Sequence, residues 1–246
     1  MANALILGAT SAVAGELARR FVKRGDRVYL VGRNQQKLEA LAKELGDGVI
    51  GSASADFNDT NQAAALVGSV FGIMKTVDIA LVLHGDLGDQ LRSEQDPEHA
   101  LEIIRTNYLS VVALMIPLVD RMRKQGYGKI GVVLSVAGDR GRPRNFTYGS
   151  AKGALGIYLQ GWRSVLYGTS IDLHSFKLGP VDSPMTVDHE KNFSFSSIEK
   201  VAGLILRGLE SARRTHYVPG YWFWVMLVVR WLPEPVFQRL GFLSDR

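Results

Sequence analysis

Short apolar runs alternate with amphipathic helical patterns from the first residues to about position 218. No other feature constrains the fold as much. Ala4–Leu7, Arg27–Val31, Val49–Ala55, Asp78–Leu83, Ile130–Ser135, Asp172–Lys177 and Thr215–Val218 read as strands. Helical patterns separate them: one after Gly15 with Leu17, Ala18, Phe21 and Val22, then Gln35–Leu45, then one after Asn58 with Ala64, Leu66, Val67, Val70 and Phe71. A fourth begins at Asp96-Pro97, with Asp as cap and Pro at the first helical position, and Phe146–Tyr167 and Ile198–Ala212 follow. Strands that alternate with helices imply a parallel sheet covered on both faces. Asp78–Leu83 suits that arrangement, being an almost unbroken apolar run. The expected fold is α/β, one doubly wound domain around a parallel sheet of about seven strands. Pro117 is expected to kink or interrupt the later part of the fourth helix.

Composition narrows the function classes. Of 246 residues, 46% are hydrophobic, enough for a full core, and no Pro/Ser-rich linker or repeat divides the chain. The net charge of +5 comes without a Lys/Arg block, so no nucleic-acid partner is expected. The absence of cysteine excludes disulfides, thiolate nucleophiles and Cys-based metal sites, and suits a reducing cytosol. No metal site is expected. Met1–Thr10 has only a short apolar run and no basic residue, unlike a secretory signal.

Chemistry gathers where strands end. Gly8–Gly15 is a small-residue turn between a strand and a helix, and such a turn brings free helical N–H groups to a phosphate. Gly8 permits the tight turn, and Thr10 and Ser11 offer hydroxyls. Ala12 and Ala14 occupy positions where dinucleotide turns usually carry Gly, and would strain the loop if either needed a positive φ. The second strand ends in Gly32-Arg33-Asn34 with no acid to hold a ribose diol, and the Arg33 fork suits a 2′-phosphate instead. Asp56 and Phe57 follow the third strand. His84 lies in the loop after the fourth, where it is expected to act as a hydrogen-bonding residue rather than a base. Asn107 sits among apolar helical residues and needs partners there.

The run Val132–Ala154 is the chemical centre. Ser135 closes a strand, and Tyr148 and Lys152 lie four residues apart, on one face of a helix. A phenol beside a fixed ammonium is a proton-transfer device, since the charge favours the phenolate. Leu178–Thr186 is a turn-rich loop beyond the sixth strand, where ligands sit in doubly wound sheets.

In this order and spacing, the Gly8–Gly15 turn, Asp56, Asn107, Ser135, Tyr148-x-x-x-Lys152 and the Gly179–Thr186 loop resemble the short-chain dehydrogenase/reductase family over almost the whole chain. The resemblance implies a Rossmann-type fold and hydride transfer between NADP(H) and a ketone or secondary alcohol, with NADP(H) expected ahead of NAD(H). By that likeness Tyr148 is the general acid/base, Lys152 lowers its pKa and holds the nicotinamide ribose, Ser135 orients the carbonyl, and Asn107 sustains a water relay. Gly8, Thr10, Ser11, Val13, Arg33, Asp56, Phe57, Gly179, Val181 and Ser183 are the expected cofactor residues, together with Tyr148 and Lys152. Leu83-His84-Gly85 and Leu178 depart from the usual Asn-Ala-Gly and Pro. A cytoplasmic homo-oligomer is expected. The competing classes are a dinucleotide-binding sensor without catalysis, whose expected mark, a lost Tyr or Lys, is not seen, and a membrane-associated scaffold that uses the C-terminal segment.

Two further stretches set expectations about the substrate. Arg140, Arg142 and Arg144 fall within five residues, between Ser135 and Tyr148, and alternate spacing in an extended loop aims all three to one side. That predicts an anionic substrate; the alternatives are solvation or pairing with Asp139. His84–Gln90, this loop, Asn145–Gly149 and the aromatic C-terminus also resemble the branch holding polyprenylphosphoryl 2-keto-pentose reductases, which implies a lipid-linked ketosugar. Residues 1–219 are expected to form the catalytic domain and 220–246 an apolar extension. Its Tyr221–Val229 run is too short to span a bilayer. The segment 221–232 either packs on the domain or a partner subunit, or lies in a membrane interface, then on the inner face. Val187–Ser197 reads as a polar loop.

Overall fold

The computed structural model describes residues 1–186 and 194–240. Its strands are β1 (Asn3–Leu7), β2 (Arg27–Gly32), β3 (Val49–Ser54), β4 (Ile79–Val82), β5 (Gly128–Ser135), β6 (Ile171–Leu178) and β7 (Thr215–Val218). All are parallel, in the order β3-β2-β1-β4-β5-β6-β7. The chain leaves the sheet's β3 edge to continue at β4, so the winding reverses between β1 and β4, where Leu7 pairs with Val82. A crevice at the carboxyl ends of the strands follows from that reversal.

The helices are α1 (Ala12–Lys23), α2 (Gln35–Leu45), α3 (Ala63–Met74), α4 (Gln90–Ser93), α5 (Pro97–Ile104), α6 (Ser110–Gln125), α7 (Phe146–Val165), α8 (Ile198–Leu209), α9 (Trp222–Trp231) and α10 (Glu234–Arg239). Local chemistry sets their ends. Ser11 Oγ, Asn34 Oδ1 and Asp96 Oδ1 accept backbone N–H groups of the first turns of α1, α2 and α5. Gly126, at φ +93°, closes α6 in a left-handed cap.

Two apolar cores lie on the two faces of the sheet. One gathers α3, α6 and α7 around Leu114, Met115, Leu155 and Leu159; the other gathers α1 and α8 around Leu17, Phe21, Val201 and Ile205. A third, smaller cluster joins Val136 to Trp222, Met226, Val229 and Phe237, so α9 and α10 pack beside the end of β5.

Several expectations need correction. Pro117 lies inside α6, which runs on through it. The irregularity falls earlier, in a wide π-turn at Arg105–Leu109 that joins α5 to α6 and contains Asn107. By length and composition the continuous run Pro97–Gln125 could cross a membrane, but its inward residues belong to the core. Ala12 and Ala14 carry no strain: both are helical, and the one described non-Gly residue at positive φ is Lys75. Residues 187–193 of the expected polar loop lie outside the described residues, as do 241–246.

Candidate active site

A cavity of about 830 Å³ opens at the carboxyl ends of the strands. Gly8 turns at φ +89° at the end of β1, and a Cβ there would stand 2.6 Å from the His84 backbone nitrogen. Only glycine lets the two loops approach so closely. Thr10, Ser11, Ala12 and Val13 line the cavity next to it. The first intrahelical bond of α1 runs from Gly15 N to Ser11 O, which leaves the N–H groups of Ala12 and Val13 ahead of it. Unused helical N–H groups facing a cavity fit a dinucleotide's phosphates. Arg33 and Lys37 stand at the same end, with Asp56, Phe57 and Asn58 after β3. Lys37 was not legible in the sequence, because nothing in a charged α2 marks its first turn as facing a ligand.

His84 is buried and stacks on Phe57 with 4.3 Å between ring centroids. Ser110 Oγ donates to Thr106 O at 2.7 Å, so it must accept from His84 Nε2–H at 2.8 Å. That fixes the tautomer and leaves Nδ1 a bare acceptor without a described partner. Burial, with the charges of Lys152 and Arg33, pushes His84 down to about 3, so it stays neutral.

At the other end, Ser135 terminates β5 and Tyr148 and Lys152 rise from α7 into the same cavity. Lys152 is buried; its Nζ donates to Val133 O at 3.3 Å and lies 5.8 Å from the Tyr148 ring centroid. The expectation that Lys152 lowers Tyr148 is corrected here. Burial pushes Tyr148 up to about 12, against an opposing contribution from Ser135, and burial likewise brings Lys152 down to about 8. The charge of Asp86 adds to the rise, since a nearby carboxylate disfavours a phenolate.

Asn107 is fully buried and does not line the cavity. Its amide donates to Asp86 O at 2.7 Å and Ile103 O at 2.9 Å, and accepts from Asp86 N at 3.1 Å. A Cβ on Gly85 would meet Asn107 Oδ1 at 2.8 Å and Lys152 Nζ at 3.2 Å. Asn107 therefore anchors the loop against which the ammonium rests. Gly179, Val181 and Ser183 all line the cavity after β6.

The three arginines part company. Arg142 and Arg144 line the cavity, but Arg140 does not. Arg140 Nη1 donates to Val229 O at 2.7 Å and Leu232 O at 2.5 Å, and its guanidinium lies 4.2 Å over the Phe237 ring. It closes the carboxyl end of α9, where free carbonyls and the helix dipole favour a cation. Its place among the substrate residues is withdrawn. Trp222, from the first turn of α9, lines the cavity instead. The sequence showed its aromatic character but not that one indole of the run turns inward.

Residues 2–193 match the short chain dehydrogenase family. An uncharacterised oxidoreductase of Streptomyces coelicolor is 36% identical over 239 residues, covering 96% of this chain and 94% of its own length. An uncharacterised oxidoreductase of Mycobacterium tuberculosis is 34% identical over 242 residues, covering 97% of both. Among solved structures, a short chain dehydrogenase from Burkholderia cenocepacia in complex with NADP superimposes with a TM-score of 0.84 at 19% identity, over 97% of each chain. Actinorhodin polyketide ketoreductase with NADPH gives 0.78 at 22% identity, over 88% of this chain and 95% of that one.

Proposed function

The chain belongs to the short-chain dehydrogenase/reductase family and is an oxidoreductase of that kind, and from that premise we propose that it reduces a ketone with NADPH, the substrate being an anionic ketosugar, free or lipid-linked. One observation carries the reading: Tyr148, Ser135 and Lys152 meet in one cavity that Arg33, Lys37, Arg142 and Arg144 also line. A reduced nicotinamide, when bound, supplies the hydride. The protein's own residues manage the proton and the charge. Tyr148 gives its phenolic proton to the carbonyl oxygen as that oxygen becomes an alcohol. The Ser135 hydroxyl donates to the same oxygen and holds it in line. The Lys152 ammonium stabilises the phenolate left behind, and Asn107 keeps the Gly85–Asp86 loop fixed against it. Gly8 to Val13 would hold the pyrophosphate, and Arg33 and Lys37 the 2′-phosphate. The neighbours solved with NADP or NADPH support this cofactor. NADPH consumption against a ketone panel tests the reading; no turnover by a chain that binds NADPH would overturn it.

A second reading concerns where the reaction takes place. Trp224, Val228 and Trp231 form one outward stripe of α9 and are 67%, 62% and 81% exposed. Arg230 and Arg239 are exposed nearby. An aromatic and aliphatic stripe beside cations suits an anionic bilayer surface. Trp224→Glu with Trp231→Glu should abolish flotation with phosphatidylglycerol vesicles. If wild type does not float, the membrane reading is overturned; if the double variant instead dissociates an oligomer, the stripe is an interface between subunits.

A further inference from the structure

The wall of the cavity nearest Tyr148 carries polar atoms that the fold leaves unused. Among the described residues, Arg142 Nε, Asn145 Oδ1 and Trp222 Nε1 are each buried without a hydrogen-bond partner, and all three residues line the cavity. Buried polar groups are nearly always satisfied, so three in one wall call for a ligand. Each owes its state to a specific arrangement. Asn145 occupies the capping position of α7, where its side chain would ordinarily accept an N–H of the first turn. Gln90 Oε1 accepts from Thr147 N at 3.0 Å instead, and the Asn145 carbonyl is left over. Trp222 packs on Gly179, where a Cβ would stand 1.9 Å from Nε1. Any larger residue at 179 would expel the indole from this position.

Arg142 lacks an acid. Asp139 is the neighbouring carboxylate, and its oxygens are taken by Lys177 and by Tyr217 Oη, the latter at 2.6 Å. Among the described residues Arg142 Nη2 meets only Met226 Sδ, a weak acceptor, at 3.3 Å. Among the described residues neither Arg142 nor Arg144 is paired with a carboxylate. Arg144 adds a second cation to the same cavity, and burial, with the charge of Arg144 second, lowers Arg142. Two like charges in one cavity are stabilised by an anion between them.

We infer that Arg142 and the Trp222 indole N–H form a subsite for a phosphate-type anion on the substrate, with Asn145 Oδ1 accepting from a hydroxyl beside the ketone. The ligand class is a polyhydroxylated ketone phosphate. This rests on the reductase reading above and deepens it. It also assigns a role to the C-terminal extension: α9 contributes one donor through Trp222 and, through Met226, the apolar backing that holds Arg142.

The test compares a pentulose 5-phosphate, the free pentulose and an octyl phosphodiester of the pentulose, each with NADPH. Arg142→Gln should lower the ratio of kcat/KM for the 5-phosphate over the free pentulose at least tenfold. Trp222→Phe, which keeps a ring and loses the N–H, should lower it severalfold. Arg142→Lys should recover part of the ratio, and rising salt should shrink the wild-type preference. An equal loss on both substrates, or an unchanged ratio, overturns the subsite. Preference for the octyl diester over the 5-phosphate would identify a lipid-linked source of the anion, and the reverse a free sugar phosphate. Should no pentulose be reduced, the ketone panel judges the reductase reading and binding judges the subsite. The 5-phosphate must then raise the melting temperature of wild type more than that of Arg142→Gln; equal shifts overturn it.

Discussion

The two ends of the cavity are built differently. On the end assigned to the dinucleotide, the ligand-facing groups are largely backbone: the Gly8 turn, the first N–H groups of α1 and the loop after β3. These follow from strand order and turn chemistry, and any doubly wound sheet with such a turn presents them. On the end assigned to the substrate, the groups are side chains drawn from elements far apart in sequence, Arg142 and Asn145 from one loop and Trp222 from α9. Nothing in the sheet dictates them. Between the two ends stand Ser135, Tyr148 and Lys152, which must serve both. On the proposed reading, the sheet carries the chemistry, while selectivity is assigned to a loop and a C-terminal helix that lie outside the sheet.

The largest expected effect lies at the junction. Tyr148→Phe should lower kcat by roughly 10²- to 10⁴-fold, the usual worth of a positioned general acid, with the NADPH dissociation constant changed little. A variant that turns over at near wild-type rate would remove the distinction between junction and walls.

Next comes the cofactor end. Arg33→Ser should weaken NADPH binding by roughly ten- to a hundredfold, as expected for lost hydrogen bonds to a charged group, and leave NADH nearly unaffected. Titration of both cofactors by fluorescence decides it. Equal losses would mean that Arg33 supports the fold and not the 2′-phosphate.

The arginine loop sharpens the contrast further. Arg140→Gln should cost stability, on the order of 1–3 kcal/mol for charged hydrogen bonds to carbonyls, read as a lower denaturation midpoint. Its preference among substrates should not follow that of Arg142→Gln. If Arg140→Gln changed the substrate ratio and left the midpoint alone, the separation of the two arginines would fail.

The smallest effect concerns stability and pH. Burial brings Lys152 to about 8 from an ordinary 10.5, so the folded chain favours the neutral amine more than the unfolded chain does. The resulting stability is complete above pH 10.5, declines as pH falls toward 8 and is lowest below that. Lys152→Met removes this dependence along with activity. The variant should melt above wild type at pH 7, with the gap closing between pH 8 and 10.5. A gap that does not change across that window would contradict the burial argument.

Much of this was legible from residues alone, for identifiable reasons. The strands were visible because runs such as Ile79–Val82 are buried on both faces and must be apolar. Tyr148 and Lys152 were visible because a helical spacing of four is enough to place two side chains together. The rest depended on where side chains turn. Arg140 and Arg142 share a loop and a chemistry, yet one meets the end of α9 and the other the cavity. Alternate spacing could not distinguish them, because their partners come from residues 226–237. Trp222 lay within an aromatic run whose members look alike until α9 is docked. The π-turn at Arg105–Leu109 leaves no compositional mark, whereas Pro117 leaves a strong one and changes little. Even the direction of the Tyr148 shift required burial to be known, since a Lys four residues away in sequence suggests the opposite sign.

The central claim is that this cavity reduces a ketone, with Tyr148 supplying the proton. The most direct measurement uses NADPH with both hydrogens of nicotinamide C4 replaced by deuterium and a ketose phosphate, with the product examined by mass spectrometry and NMR. Wild type should yield an alcohol carrying a single deuterium on the former carbonyl carbon, in one configuration. Tyr148→Phe, with NADPH still bound, should yield almost none. An alcohol without deuterium, or deuterated product from Tyr148→Phe at the wild-type rate, would contradict the account.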